Sequence, residues 1–245
     1  IKENNKVVFQ YNYQSKKFIN NINTISSLRF DNNTANISMV KFIYNNSSLQ
    51  DDSSIKQIVE FASNMLWFRS VRNFEYITPN IGNEDISDFI IHNNLVSDLQ
   101  EFFSSYGLKY KLSKFNSLGK DILIANFDNG SAPLIDVAST GTMSLWLFFY
   151  WMHRNDKISF LFIDEYDAFY HHELSKNILL NTIKNDKFQS VFTTHNTFIC
   201  DNEIMRPDCY FMIKDNEITS FADSTSRVRR QGHNLEKLMV SGEFE

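Results

Sequence analysis

The chain has 245 residues, of which 42% are hydrophobic and 22% are charged, a composition typical of a globular protein and not of a disordered tail. Its net charge of −5 argues against a basic, nucleic-acid-binding surface over the whole chain, but leaves room for a local basic patch. The two cysteines do not make a disulfide framework and favour a reducing, cytoplasmic environment. The longest apolar run, residues 145–152, is too short to cross a membrane, so no membrane association is expected.

Short strands are predicted for the first part of the chain. Residues 7–13 alternate apolar and polar side chains as a strand does, and residues 24–30 and 35–38 are weaker candidates. Asn-rich turns separate these segments, which favours a small antiparallel meander. Residues 1–50 are therefore expected to be the β-rich first part of a domain.

Two long helices are predicted next. The first begins at Ser53 or Ser54 and runs to about residue 72, with apolar residues at three- and four-residue spacing. The second covers residues 85–106 and ends at Gly107. Together they would make a helical insertion over residues 51–107.

A return to strands is predicted after the helices. Residues 108–115 and 121–127 indicate a strand pair, followed by a tight turn at residues 128–130. Residues 134–137 are predicted to be a short strand. The pattern marks the start of a second sheet-containing part of the chain.

A loop of small residues then leads into an apolar helix over residues 143–154. The loop reads Ser139-Thr140-Gly141-Thr142. Hydroxyl residues and a glycine at a helix start can leave backbone N–H groups free to meet an anion. The alternative is ordinary capping of the helix by a hydroxyl side chain.

The most informative stretch is an apolar strand over residues 159–163 that ends in Asp164 and Glu165. Such a run predicts a strand buried on both faces, as in a parallel sheet. Acids at the carboxyl end of a buried strand commonly form a ligand site, and in nucleotide hydrolases they serve Mg²⁺ and the attacking water. We interpret Asp164 as the acid on the metal side and Glu165 as the acid that activates water. The alternative is a strand followed by a polar turn.

The remaining elements are a helix from about His171 to residue 184 and a strand over residues 189–193 that leads to His195. The sequence that starts at His172 has lysine where an H-E-x-x-H zinc motif needs its second histidine. His195 could also be a polar cap of the strand, and its spacing to the two cysteines fits no standard zinc site.

The end of the chain has three further features. Residues 209–213 and 217–221 predict a closing hairpin, and residues 232–238 predict a last short helix. Between them lie three arginines that could contact phosphates or form a solvated arm, namely Arg227, Arg229 and Arg230.

The order of the small-residue loop, the acid-ending strand and the histidine-ending strand resembles the ATP-binding-cassette class of ATPases, in the branch shared with SMC and RecF-like proteins. The closer resemblance is to the AAA_15 or abortive-infection ATPases of bacteria, which include ATPase subunits of anti-phage defence systems. The resemblance covers the chain from about residue 134 to the end. It implies a P-loop NTPase fold of the ABC-ATPase type, with a mixed α/β sheet core over residues 108–245.

The resemblance also assigns roles to single residues. Asp164 corresponds to the Walker B acid that serves the metal, and Glu165 and His195 correspond to the catalytic glutamate and the switch histidine. The residues matching the nucleotide-contacting signature loop and D-loop are Ser139, Gly141, Thr142 and Asp167. No G-x-x-x-x-G-K-[ST] sequence occurs, so the Walker A loop is expected upstream of Ile1.

The resemblance implies ATP and Mg²⁺ as cofactors and a head-to-tail homodimer, or a higher oligomer, that closes around ATP. It further implies a sensor or regulator in anti-phage defence that controls a toxin or nuclease partner, with DNA as a further candidate partner. One alternative is a RecF- or SMC-like ATPase of DNA maintenance, for which no long heptad run is visible. Another is a non-catalytic scaffold that binds an effector.

Overall fold

The computed structural model describes residues 1–12, 14–15, 17–20, 38–51, 53–69, 75–77, 85–117, 119–154, 157–224 and 235–242. The described residues up to Leu66 form one compact unit, and those from Trp67 onward form a second. The domain limits expected after residues 50 and 107 stay predictions. None of the described helices combines the length and apolar character needed to cross a membrane.

The first unit contains two short antiparallel strand pairs and two helices. Its elements are β1 Lys2–Glu3, β2 Lys6–Val7, β3 Phe9–Asn12, β4 Lys17–Asn20, α1 Met39–Asn46 and α2 Ser54–Ser63. The single strand predicted over residues 7–13 is interrupted at Val8, whose N–H donates to the carbonyl of Ile1 at 3.1 Å. Ile43 and Ile55 are fully buried at the contact of α1 with α2. The strand candidates at residues 24–30 and 35–37 lie outside the described residues.

The first long helix predicted from the sequence is wrong beyond Ser63. The chain turns at Asn64, whose N–H donates to the carbonyls of Glu60 and Phe61, and continues as β5 Met65–Arg69. Leu66 and Phe68 are buried whereas Trp67 is 41% exposed. This alternation has the period of a strand. The prediction extended the helix too far because the apolar residues before this point recur at helical spacing.

The second predicted helix consists of two, α3 Ile86–His92 and α4 Val96–Ser105. Asn94 takes a positive φ of 57° between them, and the N–H of Leu95 donates to the carbonyl of Ile90 at 2.8 Å. Asparagine tolerates this left-handed conformation, which ends a helix. Gly107 has a φ of 80° and stops α4, as predicted.

A four-stranded mixed sheet, in the order β11-β10-β5-β6, carries the acid-ending strand of the second unit. Its other members are β6 Glu75–Ile77, β10 Phe160–Asp164 and β11 Gln189–Phe192. β10 and β11 are parallel, with Ile163 opposite Phe192, while β5 and β6 are antiparallel. Leu161 and Ile163 of β10 are buried, and the phenylalanines that alternate with them are half-buried. The predicted parallel strand is therefore confirmed, with one face more deeply buried than the other.

A separate three-stranded antiparallel sheet consists of β7 Lys111–Ser117, β8 Lys120–Phe127 and β9 Gly130–Pro133. The predicted hairpin is confirmed. The strand predicted at residues 134–137 is wrong, because α5 Leu134–Val137 is a single helical turn in which the N–H of Ala138 donates to the carbonyl of Leu134. Only Leu134 of this turn is buried.

The described part of the unit also contains α6 Thr140–Arg154, α7 His172–Ile183, the hairpin of β12 Phe211–Lys214 and β13 Glu217–Ser220, and α8 Leu235–Val240. Two short 3-10 helices cover Thr197–Ile199 and Pro207–Cys209. One hydrophobic core cluster joins α3, α4, α6 and β8 around the fully buried Leu99, Phe103 and Leu145.

Candidate functional site

The two acids at the end of β10 have different backbone conformations. Asp164 is the last residue of the strand, and Glu165 takes a positive φ of 48°. This left-handed conformation costs a residue with a side chain about 1–2 kcal/mol, and such strain is concentrated at functional sites. The turn that follows is closed by the N–H of Ala168, which donates to the carbonyl of Glu165 at 3.0 Å.

The end of β11 is hydrogen-bonded to both acids. The Thr193 hydroxyl donates to Oδ1 of Asp164 at 2.6 Å and accepts the backbone N–H of Glu165 at 2.8 Å. The backbone continues the contact, since Thr193 donates to the carbonyl of Ile163 and accepts from the N–H of Tyr166. Parallel pairing of the two strands thus brings the acids and the loop that carries the histidine to one edge of the sheet.

His195 lies on the solvent side of this edge. Its Nε2 is 3.9 Å from Oε1 of Glu165, too far for a hydrogen bond. The His195 side chain is 94% exposed and that of Glu165 is 42% exposed. Both groups are therefore accessible to a ligand that arrives from solvent.

Asp167 accepts a hydrogen bond from Thr194, the residue after Thr193. The hydroxyl of Thr194 donates to Oδ1 of Asp167 at 2.7 Å and accepts the N–H of Asn196 at 2.9 Å. The structure thus brings four of the predicted site residues, Asp164, Glu165, Asp167 and His195, to the ends of two neighbouring strands.

The histidine loop has a further support that sequence reasoning missed. The side-chain amide of Asn196 lies 3.1 Å from Nδ1 of His172, and its oxygen accepts the N–H of Phe198 at 3.1 Å. The rings of His172 and Phe198 are in contact, with centroids 4.7 Å apart. His172 is exposed, yet its contacts with Asn196 and Phe198 support the loop that follows β11.

The loop before α6 is ordered by its own hydroxyl groups. The Ser139 Oγ accepts the N–H of Thr142 at 3.2 Å and lies 3.0 Å from the Thr142 hydroxyl. Ser139 therefore caps α6, which begins at Thr140, three residues earlier than predicted. A contact of these residues with an anion stays a prediction.

Gly141, in the first turn of α6, contacts the turn after β10. A Cβ on Gly141 would lie 2.9 Å from the backbone oxygen of Phe169, closer than real Cβ contacts come. One turn later, the Tyr170 hydroxyl donates to Ser144 of α6. Gly141, which lies between Ser139 and Thr142 in the chain, therefore packs against the Phe169 end of the turn that begins at Glu165.

The carboxylates of Asp164 and Glu165 suit a divalent cation whose remaining ligands are phosphate and water. Within the ranges that the structure describes, no group of three or more His, Cys, Asp and Glu side chains could hold a metal by itself. The carboxylates of Asp164 and Glu165 are oxygen ligands, which Mg²⁺ prefers, and Mg²⁺ commonly takes one or two carboxylates together with phosphate and water. The residues present therefore fit a magnesium ion that arrives with a phosphate ligand.

Comparison with known families gives a match over most of the chain. The model of the family AAA_21, described as "AAA domain, putative AbiEii toxin, Type IV TA system", matches residues 7–201. The matched span includes the loop before α6, the acids that follow β10 and the histidine loop, and it ends before the C-terminal hairpin. Comparison with curated proteins returned no match.

Proposed function

This chain belongs to the AAA_21 family of AAA domains, and we propose that it binds ATP with Mg²⁺ and hydrolyses it. The family has the P-loop NTPase fold, and the mixed α/β architecture described above is that fold. The observation that supports hydrolysis best is the meeting of Asp164, Glu165 and His195 at the carboxyl ends of adjacent parallel strands.

The family match confirms the coarser part of the predicted resemblance, an ATPase domain of the AAA and abortive-infection type. It does not single out the AAA_15 branch or the SMC and RecF branch, so the finer placement stays a prediction. The words "AbiEii toxin" and "Type IV TA system" in the family description support a role in defence, which we include in the proposal.

The proposed chemistry assigns one task to each acid. Asp164, held by Thr193, is oriented to bind Mg²⁺ through its carboxylate or a coordinated water. When bound, Mg²⁺ neutralises negative charge on the phosphates of ATP. The side chain of Glu165 is 42% exposed, and its carboxylate orients the attacking water and accepts a proton from it.

His195 is proposed to donate a hydrogen bond to the terminal phosphate. Its exposure leaves the imidazole free to reach a ligand, and its 3.9 Å separation from Glu165 supports a shared task of the two groups. The same histidine would report whether the terminal phosphate is present.

The loop before α6 and Asp167 are proposed to face the nucleotide of a second copy of the chain. Ser139 caps α6, and the N-terminal end of a helix favours an anion through its partial positive charge. ATP between two head-to-tail copies would then complete two sites and close a homodimer or a higher oligomer. The nucleotide-dependent assembly would act in the cytoplasm on a toxin or nuclease partner, with DNA as a further candidate partner.

The experiment compares ATP hydrolysis by the full-length protein with that of Glu165→Gln, and measures native mass with and without ATP. Glu173→Gln is the matched control, because Glu173 is an exposed acid in the first turn of α7. We expect Glu165→Gln to lower kcat by about a hundredfold or more and to accumulate an ATP-bound dimer. Glu173→Gln should behave like the wild type.

The opposite results would separate the alternatives. A full-length protein that neither binds nor hydrolyses ATP contradicts the proposal. A rate strongly stimulated by DNA would favour a RecF- or SMC-like role. Unchanged activation of a partner in the Asp164→Ala, Glu165→Gln double variant would favour a non-catalytic scaffold.

A further inference from the structure

The hydroxyl of Thr193 forms hydrogen bonds with both acids, and the chemistry of its two partners fixes which bond it donates and which it accepts. An ionised carboxylate only accepts and a backbone N–H only donates. The single hydroxyl proton must therefore point to Oδ1 of Asp164, at 2.6 Å, while a lone pair receives the N–H of Glu165, at 2.8 Å. One side-chain oxygen thus orders the carboxylate of the first acid and the backbone of the second.

The backbone of Thr193 clamps the same junction from both sides. Its N–H donates to the carbonyl of Ile163 at 3.0 Å, and its carbonyl accepts the N–H of Tyr166 at 3.1 Å. Glu165, enclosed between these bonds, has the left-handed φ of 48° that a residue with a side chain rarely adopts. A conformation of this kind persists only when surrounding contacts hold it, and the bond from the Glu165 N–H to Thr193 is one of them.

We infer that Thr193 is a positioning residue of this site, a role that rests on the proposed ATPase function. Its hydroxyl would orient the carboxylate of Asp164 for a metal ion, and its bond to the Glu165 N–H would support the backbone conformation in which the Glu165 carboxylate lies 3.9 Å from His195. Mutation of a group that orients a metal-binding carboxylate commonly lowers metal affinity or activity by about 10- to 100-fold.

The neighbouring threonine shows that the arrangement is specific. Thr194 makes a similar pair of bonds, but to Asp167 and to the N–H of Asn196. The two consecutive hydroxyls thus serve different acids, and only that of Thr193 contacts both residues of the Asp164–Glu165 pair.

The test replaces the hydroxyl by a methyl group of the same shape in Thr193→Val and restores it in Thr193→Ser. Thr182→Val is the matched control, because the buried hydroxyl of Thr182 donates to the carbonyl of Ile178 within α7. All variants are made in the full-length protein. Two quantities are measured: ATP hydrolysis as a function of Mg²⁺ concentration at saturating ATP, and hydrogen–deuterium exchange of the peptide that contains Glu165.

We expect Thr193→Val to lower kcat by about tenfold or more, to raise the Mg²⁺ concentration for half-maximal rate several-fold, and to speed exchange of the Glu165 amide. Thr193→Ser should stay within about twofold of the wild type in the two kinetic quantities, since it keeps the hydroxyl. Thr182→Val should leave kcat and the Mg²⁺ requirement unchanged.

Three results would overturn the role. An active wild type whose Thr193→Val variant keeps its Mg²⁺ requirement and kcat would refute positioning while the ATPase function stands. Equal losses in Thr193→Val and Thr193→Ser would show that packing matters and the hydrogen bond does not. Unchanged amide exchange at Glu165 in Thr193→Val would show that the hydroxyl does not hold the turn. A wild type without ATP binding would instead remove the ATPase function, and the positioning role with it.

Discussion

Replacing Gly141 by alanine sets two physical effects against each other. Gly141 is the second residue of α6, where its φ is not positive, so alanine can adopt the backbone conformation. Helix propensity alone predicts that Gly141→Ala raises the free energy of unfolding by up to about 1 kcal/mol. The tertiary structure predicts instead that Gly141→Ala lowers the free energy of unfolding.

The loss follows from the position of the new methyl group. It would lie 2.9 Å from the backbone oxygen of Phe169, and a backbone oxygen cannot rotate away as the end of a flexible side chain can. Overpacking of this kind costs about 1–3 kcal/mol. Set against the gain in propensity, the net effect is a loss of about 1 kcal/mol, which lowers Tm by about 2–4 °C for a chain of this size.

Thermal and urea unfolding followed by circular dichroism would measure this loss. Thr140→Ala is the control, because Thr140 is the exposed first residue of the same helix and should change stability by less than about 0.5 kcal/mol. A higher Tm for Gly141→Ala would refute the reasoning, since it would mean that the Phe169 carbonyl moves at little cost.

Three further outcomes test other parts of the structure. Ser139→Ala removes the cap whose oxygen accepts the N–H of the third helical residue, and it should lower the free energy of unfolding by about 1 kcal/mol in urea titrations. Leu99→Ala should cost about 2–5 kcal/mol because the side chain is fully buried, whereas Ile135→Ala, at a position 58% exposed, should cost less than about 0.5 kcal/mol; similar costs would contradict the described core. Burial raises the pKa of Cys200 to about 11, so at pH 8 its thiolate fraction is about a hundredfold below that of an ordinary thiol. Iodoacetamide should therefore label the exposed Cys209 first. Equal labelling of the two cysteines by mass spectrometry would show that Cys200 is accessible.

The sequence by itself determined the elements whose signals lie within one segment. The apolar run that ends in Asp164 and Glu165 forms a strand of the sheet, where its apolar side chains are removed from water. The strand ends at the acids because burial of an ionised carboxylate costs free energy. The C-terminal hairpin is also local, since Asp215 and Asn216 accept the positive φ values of 50° and 66° that its turn requires. The order of loop, acids and histidine pointed to an ATPase, and the family match supports that at the coarser level.

Only the tertiary structure decided where α2 gives way to β5 and which groups surround the acids. Periodicity at three and four residues runs up to Met65, and it is pairing in a sheet that makes the next residues a strand. The partner of Glu165 is the hydroxyl of Thr193, 28 residues away, and the neighbour that requires glycine at position 141 is the carbonyl of Phe169. Contacts of this kind depend on how distant segments meet, whereas a sequence pattern records only the preferences of neighbours along the chain.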